Sequence, residues 1–310
     1  MHESNNCELE REKLEREIKI FKKKFVIENI KIAMLIILLV AEVVIITIFL
    51  TQKGLLQGSS ESGKDQIAIV NIDKVITNDY ILTLMNKIDR ALEKKEFKEI
   101  LVIMNSPGGS PTASEEMANY LKAITSEKNV TMYVGGYALS GGYYIASAIK
   151  PLYANKNALV GSIGVILQHY NIEELAKKVG IEESTITKGK YKQPLSFFKT
   201  PDTNQTAYLN EHMLHPTYLN FIDSVATNRG LKPQEIEKYA EGMIFVANSP
   251  KIKNILVDEI ISLHTLRQNY KKRYGKEVKF IEITKEPQPF NLMGVEVDVD
   301  LDDLKTPNLY

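Results

Sequence analysis

The run IAMLIILLVAEVVIITIFL, residues 32–50, constrains this chain more than any other stretch: its 19 residues carry one charge, Glu42. As a helix rising about 1.5 Å per residue it is about 28 Å long, one hydrocarbon thickness of a bilayer. A buried core helix is the competing reading. It fits poorly, because the run has no polar stripe and its flanks are charged. A cleaved signal peptide also fits poorly: the run starts only after residue 31, is too long, and has no A-x-A site behind it. The sequence therefore predicts one transmembrane helix over 32–50, with lipid as its surroundings. Glu42 reads as a lone acid tolerated in lipid rather than as a helix–helix contact.

Basic residues orient that helix. Arg11, Lys13, Arg16, Lys19, Lys22, Lys23, Lys24 and Lys31 precede it, whereas the stretch 51–70 holds only Lys53 and Lys64. The positive-inside rule puts the N-terminus in the cytoplasm and the large C-terminal part outside. In bacterial terms this predicts a single-pass protein of the inner membrane with its main domain on the periplasmic or outer side. Cys7, the single cysteine, falls on the reducing side, so neither an intrachain disulfide nor a cysteine metal site is possible. The histidines His2, His169, His212, His215 and His264 form no HExxH-like pair, and no metal or other cofactor is expected. With 39 basic and 39 acidic residues, the charge balance gives no reason to expect nucleic acid.

Composition divides the chain further. Residues 1–31 form a charged, helix-like tail rich in opposite charges at helical spacing. Residues 51–65 are a Gly-, Ser- and Gln-rich linker. Residues 66–285 alternate strand and helix patterns: strands over 66–72, 99–105 and 130–135, helices over 80–95, 113–124 and 141–149. Ile81, Leu84, Met85, Ile88 and Leu92 share one face of the first of these helices. The βαβαβα order predicts an α/β fold with parallel pairing. Residues 204–227 and 233–241 read as helices, and the stretch from Lys251 to Gly275 is expected to close the domain in helix. Residues 286–310 form a proline-flanked tail. Its DVDLDD run, 298–303, is no EF-hand: Asp303 stands where glycine is required and Leu309 where glutamate is.

Two strand-to-helix turns draw attention. NSPGGS, residues 105–110, follows the second strand, and Ser140-Gly141-Gly142 follows the third. In parallel sheets, sites form at the carboxyl ends of strands. Acyl transfer needs an exposed nucleophile at a tight turn, a base, and two N–H donors aimed at the developing oxyanion. Ser140 supplies a hydroxyl. Gly141 lets backbone approach a substrate closely and offers an N–H at a helix start. Gly108 and Gly109, behind a proline that fixes the turn, offer N–H groups that can face the same point. A tight structural turn is the plainer reading of either motif alone.

The base is less legible. This is not the G-x-S-x-G elbow of hydrolases. His169 is the best-placed histidine for a triad. The alternative is a lysine, which must be desolvated to lose its proton near neutral pH. ITKGKYKQPLSFF offers Lys188, Lys190 and Lys192 among apolar neighbours. For each of these, a solvated surface charge is the ordinary expectation.

MNSPGGS, LSGGYYIASA and VGSIGVI, in that order and spacing, resemble the SppA signal peptide peptidase family. The resemblance runs over roughly residues 66–265 and includes EGMIFVANSPKIKNILVDEI. It implies a Clp-protease/crotonase-like fold of layered β-sheet and helices, and a Ser–Lys dyad. It implies Ser140 as nucleophile, Lys192 as base, Ser162 as the residue orienting the lysine amine, and Gly108 or Gly109 together with Gly141 as oxyanion donors. It also implies peptide substrates left over from signal-peptide cleavage. The resemblance further implies a homo-oligomer, an octamer in half-length members, with each site built from neighbouring protomers. Leu139 is larger than the family's usual residue before the nucleophile, and Lys188 replaces a small one. Two alternatives keep the fold: an acyl-CoA enzyme of the crotonase type, and a non-catalytic membrane scaffold. A periplasmic address lacks CoA, and an intact Ser140 and Lys192 speak against a scaffold.

Overall fold

The computed structural model of the protein describes residues 22–24, 29–49, 65–285, 290–292 and 295–297. Cys7, most of the charged tail, Leu50, the linker over 51–64 and the acidic run 298–303 lie outside the described residues. The chain forms two compact units, Met1–Ser62 and Gly63–Tyr310.

The first unit is built on helix α1, Lys22–Phe49, long and apolar enough to cross a membrane. It starts at Lys22, earlier than the apolar run itself, because the basic residues before the run are also good helix formers. Its large apolar side chains, such as Met34, Ile37 and Ile45, are exposed along its length. Among the described residues of this unit none of that apolar surface is buried, which is the surface a helix in lipid presents.

The second unit is an α/β sheet with helices on both faces. Strands β1 (Gln66–Ile72), β2 (Phe97–Ser106) and β3 (Asn129–Leu139) are parallel neighbours, with Val70 opposite Val102 and Val102 opposite Met132. Helices α2 (Asn78–Leu92), α3 (Pro111–Ile124) and α4 (Gly141–Ser147) follow them in turn. Thr77 caps α2 by accepting the Tyr80 N–H, and Ser110 caps α3 by accepting the Ala113 N–H, with Pro111 in the first turn. Alternate residues of the strands serve two cores. Ala68, Val70, Val102, Met104 and Val134 pack with α2, α3 and α4. Ile67, Ile69, Leu101, Ile103 and Tyr133 pack with Leu266 and Tyr270 of α9 (Leu263–Tyr274). Burial on both faces is why these strands read as unbroken apolar runs.

The rest of the sheet departs from the sequence reading. β3 divides its far edge: residues 132–134 pair with β4 (Leu152–Ala154), and 137–139 pair with β5 (Leu159–Gly161). β5 continues to β6 (Ile244–Val246), antiparallel, and β4 to β7 (Glu259–Ile260). The stretch 251–275 is not one helix, because turns and β7 come before α9. The sheet then gains a further strand, β8 (Lys279–Glu282), parallel to β1. The expected helix over 204–227 is interrupted. α6 (Thr203–Leu209) passes through a π-turn, Asn210–Leu214, into α7 (His215–Arg229). Pro216 has no N–H for the His212 carbonyl and its ring crowds that carbonyl, so the helix widens there. The helix expected over 233–241 stops at α8 (Pro233–Glu237), and a further short helix, α5 (Glu173–Lys178), lies between β5 and α6. In the tail, β9 (Phe290–Leu292) and β10 (Val295–Val297) pair as a hairpin.

Candidate active site

The two glycine turns meet at the carboxyl edge of the sheet. Gly108 has φ +102°, a conformation that favours glycine, and a Cβ there would stand 2.8 Å from both the Gly141 nitrogen and Ser140 Cβ. Gly109 lies in a bridge to Ile76 so close that a Cβ would overlap the Ile76 backbone. A Cβ on Gly141 would collide with Ser114 Oγ and stand 3.3 Å from the Gly109 nitrogen. Backbone from two separate turns thus packs without side chains around Ser140.

Ser140 itself adopts φ 50°, ψ −124°, a sparsely populated conformation for an L-residue. Its N–H donates to the Gly161 carbonyl at 2.9 Å, and its carbonyl accepts the Tyr143 and Tyr144 N–H groups that open α4. Its hydroxyl makes no cap on that helix. Leu139 pairs with Gly161, so Ser140 and Ser162 follow paired residues on neighbouring strands. Ser162 also has positive φ, 53°, and its N–H donates to Met243 O at 2.7 Å. The Gly109 and Gly141 N–H groups have no acceptor among the described residues. The Gly108 N–H does have one, Ser106 Oγ at 3.2 Å.

The remaining candidates are not gathered at that point. Lys192 is exposed on a turn where its N–H donates to Gly189 O, and no hydrogen bond joins its amine to Ser140 or Ser162 among the described residues. Lys190 lies 4.9 Å from the Tyr191 ring, which stacks on Tyr208. Its hydrogen bond and charge interaction with Tyr191 hold its ammonium above the ordinary lysine value, which disfavours it as a base at neutral pH. His169 bonds Ser196 O through Nε2 at 2.9 Å and stacks on Phe197. A groove of about 520 Å³ between that segment and α6, lined by Leu167, His169, Leu195, Pro201, Leu209 and Leu214, includes none of Ser140, Ser162 or Lys192.

Sequence reasoning missed the supports of the turns. Ser106 and Ser114 are fully buried beneath them, and Ile76 stitches the first turn by donating to Gly108 O at 2.9 Å and accepting from the Ser110 N–H at 2.8 Å. Asn105 Oδ1 accepts the Gly136 N–H at 2.5 Å, where β2 bulges and β3 changes partners. Ser106 was legible as a polar residue inside an apolar strand end; Ile76 was not.

A parallel sheet with a strained serine and two glycine turns at its carboxyl edge defines an α/β protein of the Clp-protease-like class. The chain belongs to peptidase family S49, whose sequence profile matches residues 122–279. A candidate protease of Methanocaldococcus jannaschii is 35% identical over 176 residues, 57% of this chain and 56% of its own length. The chloroplastic serine protease SPPA of Arabidopsis thaliana is 28% identical over 238 residues, 72% of this chain and 35% of its own length. A candidate signal peptide peptidase SppA of Enterococcus faecium is 31% identical over 181 residues, 58% of this chain and 51% of its own length. The chain spans about half the length of the first and last of these relatives and about a third of the Arabidopsis one.

Proposed function

We propose that the protein is a membrane-anchored serine endopeptidase that degrades cleaved signal peptides at the outer face of the bacterial inner membrane, with α1 as its anchor and its N-terminus in the cytoplasm. One observation carries this reading. Ser140 stands in strained backbone between the acceptor-free N–H groups of Gly109 and Gly141, which come from two different turns. A peptide carbonyl set over Ser140 Oγ turns its oxygen toward both donors, which stabilise the charge that develops there. Ser140 Oγ attacks as Lys192 Nζ takes its proton; the leaving amine receives that proton, and water then releases the acyl group with Lys192 again as base. Ser162, beside Ser140, orients the lysine amine.

A lysine serves as base only when desolvated, and Lys192 is exposed in the single chain. We assign that desolvation to a neighbouring copy in a homo-oligomer, an octamer in keeping with the family resemblance. The segment carrying Lys192 supports this with Ile166 at 88% exposure and Ile186 at 100%. The test uses the full-length protein in detergent, with fluorophosphonate labelling and cleavage of a signal-peptide substrate at several pH values. Ser140→Ala and Lys192→Ala are expected to be inactive while Lys190→Ala works. Activity in Lys192→Ala would remove the lysine assignment, and labelling that persists in Ser140→Ala would remove the nucleophile.

A further inference from the structure

We propose that Ser106 is a positioning residue: its hydroxyl sets which backbone N–H of the first turn faces the substrate. This rests on the peptidase reading above. Ser106 ends β2 with no exposed surface. Its Oγ donates to Lys74 O at 2.7 Å and accepts the Gly108 N–H at 3.2 Å. It therefore links the loop after β1 to the Pro107-Gly108-Gly109 turn. Two successive glycines leave that turn free to rotate its peptide planes. Ile76 fixes the Gly108 carbonyl by donating to it, and Ser106 Oγ fixes the Gly108 N–H. With both Gly108 groups held from behind, the turn presents the Gly109 N–H on the Ser140 side. Without the hydroxyl, the Gly108 N–H is left buried and unpaired. Rotation of the peptide plane would relieve that and disturb the donor beside it.

Ser147 provides a matched control. It is equally buried, donates through Oγ to Tyr144 O at 2.7 Å, and accepts from Asn228 Nδ2 at 3.0 Å, at the other end of α4 from Ser140. The experiment compares full-length wild type, Ser106→Ala, Ser106→Cys and Ser147→Ala in detergent. A peptide aldehyde, which forms a hemiacetal with the nucleophile and places its oxygen between the donors, is measured beside the matched peptide alcohol, which does not. In Ser106→Ala, aldehyde affinity and kcat are expected to fall about tenfold or more, while alcohol affinity and KM stay within about twofold. Ser147→Ala is expected to change neither, despite a similar loss of thermal stability. Ser106→Cys fills the same space with a weaker hydrogen-bonding group and is expected to fall between, which keeps the test decisive if Ser106→Ala does not fold. Equal aldehyde-to-alcohol ratios in Ser106→Ala and wild type, or in Ser106→Cys and wild type where the alanine variant does not fold, would overturn the proposal. A wild type that binds the aldehyde no better than the alcohol and takes no fluorophosphonate label would instead overturn the peptidase reading, and the proposal with it.

Discussion

Ser140 holds φ 50°, a conformation that costs an L-residue about 1–3 kcal/mol. That strain yields a prediction. Ser140→Ala and Ser140→Gly are both expected to be inactive, but Ser140→Gly is expected to unfold at the higher temperature, by the equivalent of about 1 kcal/mol, because glycine adopts positive φ without a Cβ penalty. Equal melting temperatures would mean that the backbone is not strained. Gly141 allows a second separation of stability from chemistry. A methyl there strikes Ser114 Oγ and stands 3.3 Å from the Gly109 nitrogen. Gly141→Ala is expected to lose about 1–3 kcal/mol from overpacking, and Gly141→Ala/Ser114→Ala to regain most of it while remaining inactive. Recovery of cleavage in the double variant would contradict the closeness of the two N–H groups. The glycines and Ser140 were legible as motif residues. Ser114 was not, because its closeness to Gly141 joins α3 to the start of α4, and only the sheet dictates their meeting.

Between elements, the buried Arg229 carries a comparable weight. From the end of α7 it donates through Nε to Ile255 O and through both terminal nitrogens to Asp258, which also accepts the Leu152 N–H at 2.6 Å. α7, β4 and the approach to β7 are thereby tied together. Burial raises the Asp258 carboxyl, but the hydrogen bonds from Arg229 and Leu152 outweigh it and hold the group below its ordinary value. A depressed carboxylate contributes stability that is fully present above its unfolded pKa, about 4, and is lost as pH falls through the lower folded value. Asp258→Asn is therefore expected to destabilise the protein by about 2–3 kcal/mol at pH 7, with the gap from wild type closing below about pH 4. Denaturant melts at pH 7 and pH 3 decide this; a pH-independent gap would show that ionisation is not involved. The long parallel strands were legible as unbroken apolar runs, α2 and α3 by an apolar face behind a side-chain cap, and α4 by the glycines that open it. β4 to β7 were not, because two or three residues show no alternation and exist only where β3 divides its edge. The break at Asn210–Leu214 was hidden for a related reason: apolar spacing continues through it, and Pro216 was the one signal.

For the whole molecule, the unresolved distance is between a serine braced by the core and a lysine on an exposed turn. Ile166, Leu175, Val179, Ile181 and Ile186 cluster in sequence around that turn, all more than half exposed. A folded domain does not keep so much apolar surface in water without a use for it. The sequence carried the Ser–Lys pairing only through its family resemblance, since spacing of about 50 residues along the chain says nothing about whether the two groups meet within one copy or between two. Mixed assemblies distinguish these geometries. Ser140→Ala lacks the nucleophile but keeps the lysine, and Lys192→Ala the reverse. If each site takes its serine from one protomer and its lysine from the next, equal co-expression of the two inactive chains gives a random ring in which about a quarter of the sites hold both groups. Recovery of roughly that fraction of wild-type cleavage is the expected outcome. A site closed within one chain recovers none. Ile186→Asp should reduce both the assembly seen by sedimentation and the cleavage rate, since a carboxylate buried at a copy-to-copy contact costs more than the isoleucine contributes. Loss of assembly with full activity retained would place the lysine in its own chain's site and leave the apolar segment to some other role.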